Sequence, residues 1–229
     1  IELSNNFDIE LLDATEAAYE ALSNQIGRNI DVIYFLDDAF NLAQATTSKA
    51  LDTTNLLSGA LKGYNLQQLE SQRISNILFK TIDLGRVRVE QIADTFGNTT
   101  PMAKALGISF EELNAALQTL TVKGVRPDTA LTSINNIILT LLKPSESFKD
   151  LLKEWGVNSG EAAIQSFGFV GVLEKLEAEL QSGGLERIAD IAKNMRAIRA
   201  EAGLLAGGTF DDFSKNLQET TEDVDALNK

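Results

Sequence analysis

The stretch PMAKALGISFEELNAALQTLTVKGVRPDTALTSINNIILTLLKP, residues 101–144, decides the fold. Its apolar residues return every three or four positions, and a glycine or a proline closes each run. Ser109 and Glu112 have the spacing of a capping box, in which each side chain satisfies an orphan backbone N–H at a helix start. The helix they open carries Phe110, Leu113, Leu117 and Leu120 and stops at Gly124. Pro127 suits the first turn of the next helix, with Leu131, Ile134, Ile138, Leu141 and Leu142 along it and Pro144 just beyond its end. Upstream, Pro101–Leu106 is predicted as a short helix closed by Gly107.

The same period runs outward in both directions. From Asp8 to Ile26, Leu11, Ala14, Ala18, Leu22 and Ile26 make one buried stripe, and Gly27 follows as a C-cap. A second helix, Asp31–Ala45, carries Val32, Phe35, Leu36, Ala39 and Leu42, so the first two helices form an antiparallel pair. Leu51–Leu61 makes a third, ended by Gly63. Asn65 then caps a fourth with Leu66, Leu69, Ile77 and Leu78, running towards Gly85. The charged residues Arg86–Glu90 lead into Ile92, Ala93 and Phe96, and Gly97 breaks that run. Ser145 starts a helix through Phe148, Leu151, Leu152 and Trp155, ended by Gly156. The next residues, to Gly171, are interrupted by glycine and read either way, before Leu173, Leu176 and Leu180 resume the period. A helix from Leu185 carries Ile188, Ile191, Met195 and Ile198, and a last one starts at Thr209 with Phe210, Phe213 and Leu217 inside. The chain is therefore expected to be all-α, a multi-helix bundle of about nine to eleven short helices joined by glycine-rich turns. Three regions are expected: 1–50 an N-terminal helical hairpin, 51–205 a helical core, and 206–229 a C-terminal helix with a frayed end. Helix pairs of roughly 30–45 residues also match the unit size of helical solenoids.

Composition narrows function by exclusion. Of 229 residues, 44% are hydrophobic and 23% charged, enough apolar content for a packed core. A net charge of -13 disfavours a surface that neutralises nucleic-acid phosphates. The chain has no cysteine and no histidine. That removes disulfides, thiolate nucleophiles, the commonest transition-metal ligands and the commonest general base. No apolar run approaches the ~20 residues of a membrane span, and the first residues lack a signal-peptide pattern. The start at Ile1 and the polar end at Lys229 fit a piece of a longer polypeptide.

Carboxylate pairs occur at Asp37–Asp38, Glu111–Glu112 and Asp211–Asp212. Glycosidases need two carboxylates in differently tuned pockets, whereas adjacent acids on a helix point about 100° apart, so a solvated face is the simpler reading. No acidic stretch has the spacing of an EF-hand loop. Lys80, Arg86 and Arg88 form a small basic cluster, read as local ion pairs, with phosphate binding as the other possibility. Trp155, Phe167 and Phe169 read as core, with an exposed contact patch at the latter two as the other possibility. A serine nucleophile at Ser109 would need a base, and histidine is absent. No enzymatic activity, cofactor or metal is expected.

The order of turns and helices from Leu84 to Leu142 resembles the core region of phage tail tape measure proteins. The family pattern has a Leu-Gly turn before a short helix, an Ala-Leu-Gly-Ile-Ser segment, a glutamate-rich helix and a glycine break. A helix with small and leucine residues follows, ending near a proline and a Lys-Glu-x-Gly-Val element. The matching positions are Leu84 and Gly85, Ala105, Leu106, Gly107, Ile108 and Ser109, Glu111 and Glu112, Gly124, Ala130 and Leu131, then Lys153, Glu154, Gly156 and Val157. Arg196–Ala200 is similar to the family's distal helix, and the resemblance covers roughly residues 52–205, with a fainter match over the first fifty. Val125–Asp128 departs from the glycine-flanked acidic stretch usual after the break.

The resemblance implies a structural segment that sets tail length during tube polymerisation and leaves at DNA ejection. It implies the tail lumen as location and the bacterial cytoplasm during assembly. The implied partners are the tail tube protein, tail assembly chaperones and baseplate or hub proteins, with self-association also open, and neither nucleic acid nor membrane as a direct partner. The motif residues are implied to be structural. A helical protein-binding scaffold or adaptor domain is the alternative reading of the same pattern.

Overall fold

The computed structural model describes residues 6–7, 9–26, 30–183, 187–189 and 212–221. Among these the chain is all helical: α1 Leu11–Ser23, α2 Ile30–Thr46, α3 Ala50–Tyr64, a 3-10 turn Gln68–Glu70, α4 Ser71–Gly85, α5 Val89–Ala105, α6 Phe110–Val122, α7 Pro127–Leu142, α8 Glu146–Glu154, α9 Gly160–Ser182 and α10 Phe213–Thr221. The all-α expectation holds. Two compact units divide the chain, one of residues 1–101 with 219–229 and one of residues 102–218.

In the first unit α1 packs on α3 and α2, and α2 packs on α3 and α4. The face expected on α2 is the buried one: Val32, Phe35, Leu36, Ala39 and Leu42 lie in the core with Phe40 and Ala43. Asp38 accepts a hydrogen bond from Ser71 Oγ at the start of α4, and its carbonyl accepts one from Ser75 Oγ at 3.3 Å. On α1 the expectation of a Leu11–Leu22 stripe is wrong. Ala17 and Ala21 are the fully buried positions, while Leu11 and Leu22 are exposed. Alanine lets α1 lie close against α3, where leucine side chains would hold the two backbones apart.

Four expected boundaries also move. Gly63 does not end α3, which continues to Tyr64, and Asn65 is the left-handed residue after it (φ 54°), not the N-cap of the next helix. The following residues form the 3-10 turn, on which Leu69 is exposed, before α4 starts at Ser71. Gly97 does not break a helix, and Pro101 does not begin one, because α5 runs through both. Tertiary packing overrides the local signal here. A Cβ on Gly59 of α3 would lie 3.3 Å from Gly97 Cα, so the two glycines mark a close helix crossing. Thr100 Oγ1 is shared between Gly59 O at 3.2 Å and Gly97 O at 3.4 Å. The second of these is the carbonyl that Pro101, having no N–H, leaves without its helical donor.

In the second unit α6 and α7 pack together and α9 packs on both. Phe110, Leu113, Leu117 and Leu120 are buried on α6, as are Leu131, Ile134, Ile138 and Leu141 on α7. Pro127 occupies the first turn of α7, as expected. Ser145 sits at the start of α8 with extended backbone, although its hydroxyl meets Ser147 Oγ rather than a backbone N–H. The ambiguous stretch before Gly171 is helical, from Gly160, and bends at Gly168 (φ 70°, ψ 169°). On α10 Phe213 is buried and Asn216 Nδ2 donates to Thr119 Oγ1 of α6 at 2.7 Å. Ile188 is buried. Gly27, Leu185, Ile191, Met195, Arg196–Ala200, Thr209 and Phe210 lie outside the described residues.

The α3–α5 crossing gives a direct test. A Cβ on Gly63 would stand 2.4 Å from Thr100 Cβ and 1.9 Å from its Oγ1, and Thr100 is fully buried. Gly63→Ala should lower unfolding free energy by roughly 1–3 kcal/mol in urea titration, although alanine favours an ordinary exposed helix.

Candidate functional site: the helix-end motifs

An α-helix leaves its last carbonyls without intrahelical donors. Among the described residues seven ends solve this in one way: the first or second residue past the helix takes positive φ, and the next N–H donates back to a carbonyl five residues earlier. The left-handed residues are Gln25, Thr47, Asn65, Arg86, Gly107, Gly124 and Gly156. The returning bonds are Ile26 to Ala21 (3.3 Å), Ser48 to Ala43 (2.9 Å), Leu66 to Leu61 (2.8 Å), Val87 to Ile82 (3.0 Å), Ile108 to Ala103 (3.0 Å), Val125 to Leu120 (3.1 Å) and Val157 to Leu152 (3.0 Å).

Several of the motif residues fall on these ends. Leu84 and Gly85 form the last turn of α4, with Gly85 buried and helical, so the turn itself is made by Arg86 and not by the glycine. Ala105 ends α5, Leu106 is buried, and Gly107 (φ 80°) reverses the chain into buried Ile108. Gly124 (φ 98°) and Gly156 (φ 82°) do the same after α6 and α8. Ala130 and Leu131 are fully buried on α7.

The Ser109–Glu112 capping box is present at the start of α6. Ser109 Oγ accepts from Glu112 N–H at 3.1 Å, and Glu112 Oε2 accepts from Ser109 N–H at 3.0 Å and from its hydroxyl at 2.9 Å. Glu112 also does something its local sequence does not signal. Its second oxygen, Oε1, accepts from Phe169 N–H at 3.2 Å, just past the Gly168 bend of α9. Phe169 is fully buried. One carboxylate thus serves two helix starts, where the backbone dipoles favour negative charge. On the same bend Lys175 Nζ lies 4.4 Å from the Phe167 ring and 5.4 Å from that of Trp155, which itself packs edge-on against Phe148 at 6.2 Å. Phe169 is core as expected, whereas Phe167 and Trp155 are half-buried walls around this cation.

The carboxylate pairs do not converge on a reacting position. Asp37 accepts from Asn41 Nδ2 at 3.4 Å, and Asp38 is held by Ser71. Burial pushes the Asp38 carboxyl above its ordinary value; the Ser71 hydrogen bond opposes this and the Asp37 charge adds to it. Asp212 lies 3.5 Å from Lys123 Nζ, and Asp211 is outside the described residues. Lys80 donates to the backbone carbonyl of Glu219 rather than to a carboxylate. Among the described residues no group of three or more acidic side chains is arranged to hold a metal ion, and no helix is long and apolar enough to cross a membrane. Most of the motif positions lie at helix ends, whereas Ala130 and Leu131 lie in the core of α7.

Among the described residues the arrangement is a series of short capped helices. The chain belongs to the phage-related minor tail protein family, whose model matches residues 1–195. It is similar to a probable tape measure protein of Clostridium phage phiCD119, with 26% identity over 238 aligned positions covering 99% of this chain and 25% of the relative. It is also similar to a probable tape measure protein of Escherichia phage P2, with 23% identity over 201 positions covering 87% of this chain and 24% of that protein. The chain therefore spans about a quarter of the length of these curated relatives. No solved structure matches it. These relatives bear out the tape measure resemblance, and the chain corresponds to a segment of such a tail protein.

Two stability measurements test the helix-end geometry. Thr47→Gly, at a β-branched residue with φ 54°, should raise unfolding free energy by about 1 kcal/mol, and Gly124→Ala should lower it by about 1 kcal/mol. Glu112→Ala should cost about 2 kcal/mol, because it removes the cap of α6 and leaves the Phe169 N–H without its acceptor, while Glu112→Gln should retain about half of that.

Proposed function

We propose that this segment is a compact anchoring and interaction element of a tape measure protein, with the length-setting stretches outside it. The parent protein sets tail length as the tube polymerises, occupies the tail lumen and leaves at DNA ejection. It is assembled in the bacterial cytoplasm with tail assembly chaperones and meets the tail tube protein and the baseplate or hub proteins. The segment's role is structural and non-catalytic.

The observation that carries this reading is the repeated reversal of the chain. A continuous helix rises about 1.5 Å per residue, so an unbroken helical chain of this size would measure about 340 Å and could serve as a ruler. Here seven helix ends return an N–H onto the preceding helix, and the longest described helix, α9, bends at Gly168. The helices bury their apolar faces on one another within each unit, so each unit is folded back on itself. The similarity to tape measure proteins of two phages supports the tail context.

Deletion of Leu84–Leu142 in frame from an inducible phage, followed by electron microscopy of the lysate, tests the role. Loss of assembled tails is the expected outcome. Normal-looking tails shortened by about 90 Å, the helical length of the deleted residues, would show that the segment is ruler and not anchor.

A further inference from the structure

Helix α1 has two apolar faces of opposite character. Inward lie the small residues Ala17 and Ala21, both fully buried. Outward lie four large ones, with fractional exposure of 55% at Leu11, 67% at Leu12, 71% at Tyr19 and 57% at Leu22. At 3.6 residues per turn, Leu11, Leu22, Thr15, Tyr19 and Leu12 fall within an arc of about 100°, the width of a stripe that faces a partner helix. Leu12, Thr15, Tyr19 and Leu22 also follow the alternating three-and-four spacing of a helix-packing seam. A groove of about 440 Å³ opens beside this stripe, lined by Thr15, Glu16, Tyr19 and Glu20 of α1 and by Leu51 in the first turn of α3. Large side chains turned outward, beside small ones turned inward, are not what core packing alone selects.

Charge says what fits there. Asp13, Glu16 and Glu20 run along one edge of the stripe, and α1 carries no lysine or arginine. A second copy packed antiparallel would bring a like-charged edge onto that edge, and in either orientation it would bring together two chains of net charge -13 with no lysine or arginine on the stripe to offset the acids. An anionic lipid surface would meet the same repulsion. A helix whose apolar stripe is flanked by lysine or arginine would satisfy both features, burying the leucines and Tyr19 while its cations meet Glu16 and Glu20. We infer that the outward face of α1 with the groove beside Leu51 is a docking site for a basic amphipathic helix of another protein segment. This goes beyond the anchoring role and stands on the α1 face whichever part the chain plays in the tail.

The test uses the whole chain and, as probe, a fluorescent three-heptad peptide with leucine at the seam positions and lysine on the flanks. Its companion has glutamate in place of lysine. Fluorescence anisotropy should show saturable binding of the lysine peptide, weakened by salt and about tenfold tighter than that of the glutamate peptide. Leu12→Ser with Tyr19→Ser should weaken it about tenfold, the loss expected for an aromatic anchor. Glu16→Lys with Glu20→Lys should reverse the preference between the two peptides, and decides the matter if the serine variant fails to fold. Equal affinity for both peptides, or lysine-peptide binding unaffected by the Glu16 and Glu20 changes, would overturn the inference. So would binding to phosphatidylglycerol vesicles in place of the peptide, or Tyr19-dependent self-association in sedimentation with no peptide bound.

Discussion

Folding of this chain rests on how its helices end. A short helix has as many orphan carbonyls as a long one, so a protein built of helices averaging a few turns carries a heavy load of them. The returning N–H bond at seven ends meets part of that load and aims the chain at the same time. The residue that donates it is placed back beside the carbonyl's own residue. Those facing pairs are almost all apolar: Leu66 with Leu61, Val87 with Ile82, Ile108 with Ala103, Val125 with Leu120, Val157 with Leu152. Val87, Ile108, Val125 and Val157 are buried. Hydrogen bonding, chain reversal and core burial are therefore one event at each end. Without the left-handed residue the apolar donor would leave the core, and the next helix would start in the wrong direction.

The same device explains which parts of the fold were legible. In the second unit the left-handed positions are glycine, at Gly107, Gly124 and Gly156, and the helix ends read from sequence lie where the structure has them. In the first unit they are Gln25, Thr47, Asn65 and Arg86, residue types that carry no punctuation signal of comparable strength. There the visible glycines mislead. Gly59, Gly63 and Gly97 serve helix crossing rather than chain reversal, and only the approach of α3 and α5 reveals that use. The stripe on α1 departs from its periodicity for a related reason. Periodicity locates an apolar face but does not say whether the leucines or the alanines of a mixed helix turn inward, and close packing chose the alanines.

For the motif positions the divide is between local and distant bonds. Ser109 and Glu112 stand three residues apart, so their reciprocal caps follow from spacing alone. The second oxygen of Glu112 reaches Phe169, which becomes its neighbour only once α6 and α9 have packed. Gly168 takes a conformation that disfavours any side chain, and the carboxylate supplies the acceptor that the interrupted helix lacks at Phe169. Sequence order could point to a family, because turns and caps are local. It could not show that one acidic residue joins two helix starts.

A ruler and a folded anchor make opposite demands on the same residues. Length along an axis needs helices that continue, with good helix formers at every position and no left-handed residue. Folding back needs the reverse, and this chain meets that need repeatedly, even accepting left-handed Thr47 and Arg86, where the conformation is unfavourable for a side chain. Gly168 is the sharpest case, because the sequence on either side of it is helical and the 23 residues of α9 would otherwise make the longest straight element described. The bend is then held from outside by Glu112, and the ring of Phe167 and the ammonium of Lys175 meet across it. Strained or glycine-dependent geometry that is braced by a distant side chain is maintained for the folded arrangement itself.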